Sequence, residues 1–338
     1  MRRVLVTGAT GFVGAHLVRA LLDERWSVRT SIRDESRIAE LPPAVEPALV
    51  GDLGRAVWDS ALQGTEFVIH LAGKVHTTDK GNSSSAETEF QEVNVTATSR
   101  LAKAAAANGV KRFIFASTVK AIGEYTSPGQ LWNEESPCNP ETLYGKSKLE
   151  AEAVLKDVGL NSGLETVVLR LPLVYGPGVK ANYLRLMQVV MDGWPLPLAS
   201  VQNRRSLLYV GNLTSAILRC LTDKEMRSET FLISDGQDVS TPELIRLIAR
   251  GLRRPARLVS FPEGMLRFFF RIGKLTQMES SLMDSLALDI GKIRRKLCWN
   301  PPFEMEDGIN ATAAWFKAAN AGSPFTVHRS PNKMSDNG

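Results

Sequence analysis

The sequence predicts an α/β protein, a doubly wound parallel sheet with a smaller C-terminal lobe. Two observations support this. As far as Leu171, short β-branched runs alternate with segments of helical period, the pattern of right-handed βαβ units whose sheet is covered on both faces. After Pro172 the rhythm stops, Pro and Gly concentrate in residues 172–197, and helix-like stretches follow. The expected division is a first domain over residues 1–172, to which about 205–235 return, and a lobe over 173–204 and 236–318. Residues 319–338, Ser/Pro/Asn-rich and without hydrophobic period, are expected to form a disordered tail.

The elements follow in order. Arg3–Thr7 is a strand that runs into glycines, Gly14–Leu22 has apolar residues at helical spacing, and Ser27–Ile32 is a second strand. Pro47–Val50 leads into Gly51-Asp52-Leu53, and Phe67–Leu71 reads as a buried strand. Glu87–Asn108 is a long Ala-rich helix stopped at Gly109. Arg112–Ala116 is the next strand, Tyr144–Lys156 a helix, and Val167–Leu171 a further strand. The lobe adds a strand at Thr230–Ile233 and helices at Thr241–Leu252 and Glu263–Lys274. Residues 236–242 (GQDVSTP) start the first of these helices, with Ser240 or Thr241 as cap and Glu243 in the first turn.

Composition narrows the class. Hydrophobic residues make up 43% and charged residues 23% of 338, which excludes collagenous, disordered and coiled-coil chains. The net charge of +5 is scattered over short pairs such as Arg204-Arg205 and Arg294-Arg295. That argues for attraction to an anionic small molecule and against a nucleic-acid partner. Cys138, Cys220 and Cys298 are far apart with no CxxC, as expected in a reducing cytoplasm, with neither a metal site nor a disulfide framework. No apolar stretch reaches the roughly 18 residues that a membrane helix needs. Phe268-Phe269-Phe270, bracketed by Arg267 and Arg271, is expected to be a buried helix face rather than an interfacial membrane contact.

The informative residues fall at the carboxyl ends of the strands, where such sheets bind ligands. Gly8-Ala9-Thr10-Gly11-Phe12-Val13-Gly14 lies between the first strand and the first helix. Its glycines permit a tight turn and bring backbone N–H groups close to a pyrophosphate at the helix N-terminus. This GxxGxxG spacing resembles the short-chain dehydrogenase/reductase superfamily, in particular its extended branch, which acts mainly on nucleotide sugars. The resemblance covers the chain to about residue 318 and implies a Rossmann-type sheet with a substrate-binding lobe. It assigns Gly8, Thr10, Gly11, Phe12, Val13 and Gly14 to the cofactor, with Asp52 and Leu53 at the adenine. Leu71, Ala72 and Gly73 would form the loop beside it, and Leu171 would close it. Where NAD-selective members have an acidic residue, this chain has Ile32 followed by Arg33. An arginine pairs with a 2′-phosphate, so NADP(H) is favoured over NAD(H).

Tyr144 and Lys148 lie one turn apart on one helix face. A tyrosine titrates near pH 10, and a neighbouring cation is what makes it a usable proton carrier at neutrality. The resemblance adds Thr118 as the third catalytic residue, with Ser117 as fallback, its hydroxyl positioning the reacting sugar oxygen. Dehydratases of the family have Thr-Asp-Glu where this chain has Thr118-Val119-Lys120, so elimination of water is not expected. Leu169–Gly178 resembles the crossing into the substrate lobe, with Leu173 where many relatives have Asn. Asn182 and Tyr183 are expected to face the nucleotide, and Arg205 to bind its diphosphate. A second family arginine, shortly before Asp289–Trp299, has no counterpart, so Lys74, Lys120 or Lys180 is expected to supply that charge.

The resemblance is closest to a bacterial subgroup of UDP-sugar 4-epimerases and 4-keto reductases of O-antigen synthesis. It implies a cytoplasmic homodimer paired through the helices Glu87–Asn108 and Tyr144–Lys156. The leading expectation is reduction of the 4-keto group of a UDP-4-keto-6-deoxy-hexosamine, giving a UDP-N-acetylquinovosamine or fucosamine type of product. The alternatives are a UDP-sugar 4-epimerase with tightly held NAD and a dinucleotide sensor without turnover.

Overall fold

The structure is a computed structural model that describes residues 2–75, 83–272 and 276–321. In chain order, β1 (Arg3–Thr7), α1 (Phe12–Asp23), β2 (Ser27–Ile32), β3 (Glu46–Leu49), α2 (Asp59–Leu62) and β4 (Phe67–His70) open the chain. One continuous helical rod follows: α3 (Ser83–Phe90), a π turn over Gln91–Thr96, and α4 (Ala97–Ala107). Next come β5 (Arg112–Thr118), α5 (Leu143–Ser162), β6 (Glu165–Leu171), β7 (Leu173–Tyr175), α6 (Ala181–Met191), β8 (Arg205–Tyr209) and α7 (Val210–Thr222). The chain closes with β9 (Glu229–Leu232), β10 (Asp238–Val239), α8 (Thr241–Leu252), α9 (Glu263–Ile272), α10 (Thr276–Met283), α11 (Gly291–Leu297) and α12 (Met305–Ala321).

Seven strands form one sheet in the order β3-β2-β1-β4-β5-β6-β9, and every pairing in it is parallel. Because strand side chains alternate, Val4 and Val6 face one core with Leu17, Leu21, Leu213 and Ile217. Leu5 and Phe113 face the opposite core with Leu101, Ala105 and Leu155. Thus α1 and α7 cover one face, and α4 and α5 the other. A third core fills the lobe, where Ile245 and Ile248 of α8 meet Ile309 and Ala313 of α12.

Several expectations need correction. Within residues 205–235, α7 packs on the large sheet and β9 joins it, while β8 lies in a separate three-stranded sheet, β10-β8-β7. α5 runs to Ser162, six residues beyond the expected end, and stops at Gly163. α12 continues through 319–321, and the rest of the expected tail lies outside the described residues. Phe268 and Phe269 are exposed and only Phe270 is half-buried. Three consecutive helical residues span about 200° of arc and cannot share one face. The helix start at residue 240 is as expected, a capping box in which Ser240 and Glu243 satisfy each other's backbone N–H. Among the described residues, no helix is long and apolar enough to cross a membrane, and no cluster of His, Cys, Asp or Glu is placed to hold a metal ion.

Candidate active site

The strand order reverses between β1 and β4, and there the carboxyl ends of four strands meet. Thr7 lies opposite His70, His70 opposite Phe115, and Thr118 opposite Leu171.

The glycine turn fits a pyrophosphate. Gly8 has φ +74°, and a Cβ on Gly14 would lie 2.1 Å from the Gly8 carbonyl oxygen, so no larger residue fits at either place. Gly11 caps α1 without a side-chain hydrogen bond, leaving the first-turn amides of the helix to an anion. Thr10, Phe12 and Val13 are half-buried around this turn. His16 Nε2 bonds the Pro177 carbonyl at 2.7 Å, tying α1 to the crossing segment. Arg33 is exposed just beyond β2, and its neighbour Asp34 caps the next turn through the Ser36 amide. Asp52 is likewise occupied locally, accepting from the Gly54 amide at 3.1 Å, while Leu53 packs at the edge of the core.

The loop Leu71-Ala72-Gly73 is set by a buried relay. Burial pulls His70 down to about 3, so its ring is neutral. Thr98 donates its hydroxyl to the Asn94 carbonyl, so it accepts from His70 Nε2 at 3.0 Å. His70 Nδ1 then accepts from Thr7 Oγ1 at 2.6 Å, and Thr7 Oγ1 accepts from the Ala72 amide at 3.2 Å. Asn94, 1% exposed in the π turn, completes the assembly. Its Oδ1 accepts from the Lys74 amide at 2.8 Å, and its Nδ2 donates to the Lys74 carbonyl and to Ser147 Oγ at 3.0 and 2.9 Å. Asn94 thus joins this loop to α5. Sequence reasoning missed it; the available signal was an Asn inside an Ala-rich helix, where it is a poor helix former.

Thr118, Tyr144 and Lys148 come together on the facing wall. Thr142 caps α5 through the Gly145 amide, and a Cβ on Gly145 would sit 2.4 Å from the Lys120 carbonyl oxygen, so only glycine lets α5 approach the segment after Thr118. Burial pushes the Tyr144 phenol up to about 12, against a downward pull from the Thr118 hydroxyl. Lys148 Nζ sits 4.2 Å from the Phe115 ring centroid. Burial lowers it to about 7 against the pull of Glu152. These residues, with Val13, Leu71 and Leu171, line a cleft of about 240 Å³. Ser117 also lines it, but its hydroxyl is committed to Glu152, which also takes Arg170 through three hydrogen bonds of 2.7–3.2 Å.

A buried lysine is a stability liability. Unfolded, Lys148 titrates near 10.5, so between about pH 7 and 10.5 the unfolded chain binds more protons and folding stability rises with pH. Lys148→Met is expected to remove that slope and to raise stability at pH 7 by about 1–2 kcal/mol, a few degrees in Tm, while turnover falls sharply. Thermal melts at pH 7 and 9 check it; a Tm lowered at pH 7 contradicts it.

The substrate-side residues are less uniform. Lys74 is paired with Glu89, and Lys120 with Glu124, so neither offers the free charge expected of it. Asn182 is exposed on the first turn of α6, with Lys180 exposed at its cap. Tyr183 does not face a nucleotide: it is buried in the lobe core, its ring stacked on Tyr175 at 5.5 Å. Arg205 is aimed by the carbonyls of Ser280 and Asp284, which accept from its Nη1 at 3.2 and 2.9 Å. Arg204 pairs with Asp238 at 2.8 Å.

Comparison with known proteins gives a consistent picture. Residues 4–234 match the NAD dependent epimerase/dehydratase family. The chain is 36% identical to UDP-glucose 4-epimerase of Vibrio cholerae over 327 residues, covering 94% of this chain and 97% of that protein. It is 28% identical to N-acetyl-alpha-D-glucosaminyl-diphospho-ditrans,octacis-undecaprenol 4-epimerase of Escherichia coli O157:H7, covering 78% and 77%. UDP-glucuronic acid 4-epimerase from Bacillus cereus, solved in complex with NAD, superposes with a TM-score of 0.75 at 21% identity. That alignment covers 94% of this chain and 99% of the other, and the likeness is one of fold.

Proposed function

The chain belongs to the NAD dependent epimerase/dehydratase family, and on that premise we propose that it is a 4-epimerase of a UDP-hexose or UDP-N-acetylhexosamine. One observation carries this reading: Thr118, Tyr144 and Lys148 line one cleft below a glycine turn that fits a pyrophosphate, with no carboxylate at positions 118–120 to drive elimination. The similarity to the Vibrio cholerae epimerase over nearly the whole chain gives epimerisation more weight than the reduction expected at first.

The glycine turn, the Leu71–Gly73 loop, Lys148 and Leu171 would hold the nicotinamide dinucleotide, with Asp52 and Leu53 toward its adenine. When bound it supplies a reversible hydride acceptor for carbon 4. The chain's own groups handle the proton. Tyr144 Oη takes it from the sugar 4-hydroxyl and returns it, and Thr118 Oγ1 bonds the same sugar oxygen and holds it at transfer distance. Lys148 stabilises the phenolate when charged, and with its value brought down to about 7 that charge is poised at neutrality. Arg205, fixed by two carbonyls, is the ligand we assign to the diphosphate, with Asn182 facing the nucleotide. The groove between α4 and α5, lined in part by Ala106, Ala107, Val154 and Val158, supports a homodimer paired through these helices.

A second reading, the 4-keto reductase, keeps one supporting observation: Arg33 is exposed and available to a 2′-phosphate, as an exchanging NADPH requires. The purified chain is expected to convert UDP-glucose or UDP-N-acetylglucosamine to its 4-epimer without added reductant. No product from either sugar, together with stoichiometric NADPH oxidation on UDP-4-keto-6-deoxy-N-acetylglucosamine, would establish the reductase instead. Dinucleotide binding without turnover in both assays would leave a sensor.

A further inference from the structure

Among the described residues, six of the fifteen exposed large hydrophobic side chains lie together on the C-terminal lobe. Met265, Phe268, Phe269 and Ile272 occupy positions i, i+3, i+4 and i+7 of α9, one face of the helix, each between 51% and 64% exposed. The other side of α9 is already committed. Leu266 is buried in the lobe core, and Arg267 reaches Asp284 Oδ1 at 2.8 Å and Glu263 Oε1 at 3.0 Å. A surface helix normally turns polar residues outward once its inner face is packed. Here the outward face is apolar, and it extends beyond the helix. The Phe261 ring lies 6.2 Å from that of Phe269. Val259 pairs through its backbone with Leu196, two residues beyond the exposed Trp194.

The segment leading into this face carries charge of one sign. Residues 253–262 (RRPARLVSFP), the segment leading into α9, contain three arginines and no acid. Arg253, Arg254 and Arg257 are all exposed, and none has an ion pair among the described residues. A short amphipathic helix with aromatic residues on its apolar face, flanked by unpaired cations and an exposed Trp, has the chemistry of an interfacial anchor. Apolar side chains enter the acyl boundary while arginines meet anionic headgroups. At ten residues α9 is too short to span a bilayer.

We propose that this face docks the protein on an anionic lipid surface. The inference does not depend on the reaction proposed above. Its place in the molecule matters all the same, because the Asp284 carbonyl aims Arg205 and the Asp284 side chain anchors α9 through Arg267. The docking helix and the assigned diphosphate ligand therefore hang on one segment.

The test is co-sedimentation of the full chain with vesicles. Binding is expected to phosphatidylglycerol-rich vesicles at low salt, and to be much weaker to phosphatidylcholine alone. Phe268→Ser with Phe269→Ser is expected to lower the partition about tenfold or more while leaving Tm and turnover of soluble UDP-sugar unchanged. Arg253→Ala, Arg254→Ala and Arg257→Ala together are expected to abolish the preference for anionic lipid. Wild-type protein that stays in the supernatant overturns the proposal, as does equal binding by a folded Phe variant. If the Phe variant instead breaks a larger oligomer that never bound vesicles, a second copy of the chain covers this face and the proposal fails. Should the Phe variant not fold, the arginine variant decides, and an unchanged anionic preference refutes it.

Discussion

Tyr144→Phe is expected to lower turnover about 1,000-fold, within the range associated with a positioned proton carrier, while the fold and dinucleotide binding are kept. The substitution removes one oxygen from a buried ring. The neighbouring Thr118 hydroxyl accepts from the Lys120 amide at 3.2 Å and so retains a partner. Little stability is therefore at stake, and the loss should fall on kcat with KM nearly unchanged. Steady-state kinetics on UDP-glucose beside calorimetric titration of the dinucleotide separates the two. If dinucleotide binding weakens by the same factor as turnover, Tyr144 holds the cofactor and does not move the proton.

Arg170→Met is expected to cost about 3–5 kcal/mol, about 4–7 °C in Tm for a chain of this size if unfolding is two-state. Arg170 and Glu152 pair at 2.7 Å with both side chains 8% exposed, so removing the guanidinium strands a carboxylate in the core. The paired change, Glu152→Met with Arg170→Met, should recover most of that loss, because no buried charge is then left alone. The pair also reaches the cleft. Glu152 lies one turn from Lys148 and holds its value up, so Glu152→Gln should lower Lys148 further and shift the alkaline limb of the pH–rate profile downward. Denaturant melts of the two single variants and the double variant give the coupling energy. A single-variant loss below about 1 kcal/mol would show that the pair is solvated or replaceable.

The parts of this protein that were legible in the sequence are those governed by local geometry. Gly8 and Gly14 announce a turn because only glycine fits there, and the Tyr144–Lys148 spacing follows from one helical turn. Ser240 and Glu243 spell out a cap three residues apart. The alternation of strand and helix gave the large parallel sheet and the site at its carboxyl edge. Leu173 could be seen to replace an Asn, and positions 118–120 could be seen to lack carboxylates.

Other features depended on which groups meet across the chain, and no local pattern encodes that. Lys74 and Lys120 look like free cations until the fold sets Glu89 and Glu124 against them. Tyr183 looks like a nucleotide contact until α6 turns it onto Tyr175. Asn94 becomes a strut between loop and helix only because a π turn rotates it toward Lys74 and Ser147, 20 and 53 residues away in sequence. The phenylalanines of α9 carry the same hydrophobic signal inside a core or outside it. By itself the sequence determined the sheet, the glycine turn and the placing of Tyr144 and Lys148 on one helix face, since backbone periodicity and helix spacing are fixed over a few residues. Only the tertiary structure decided which charges remain free, which hydroxyl is committed to a buried carboxylate and which apolar face is left uncovered. Ion pairing and burial are properties of neighbours in space, and those neighbours come from distant parts of the chain.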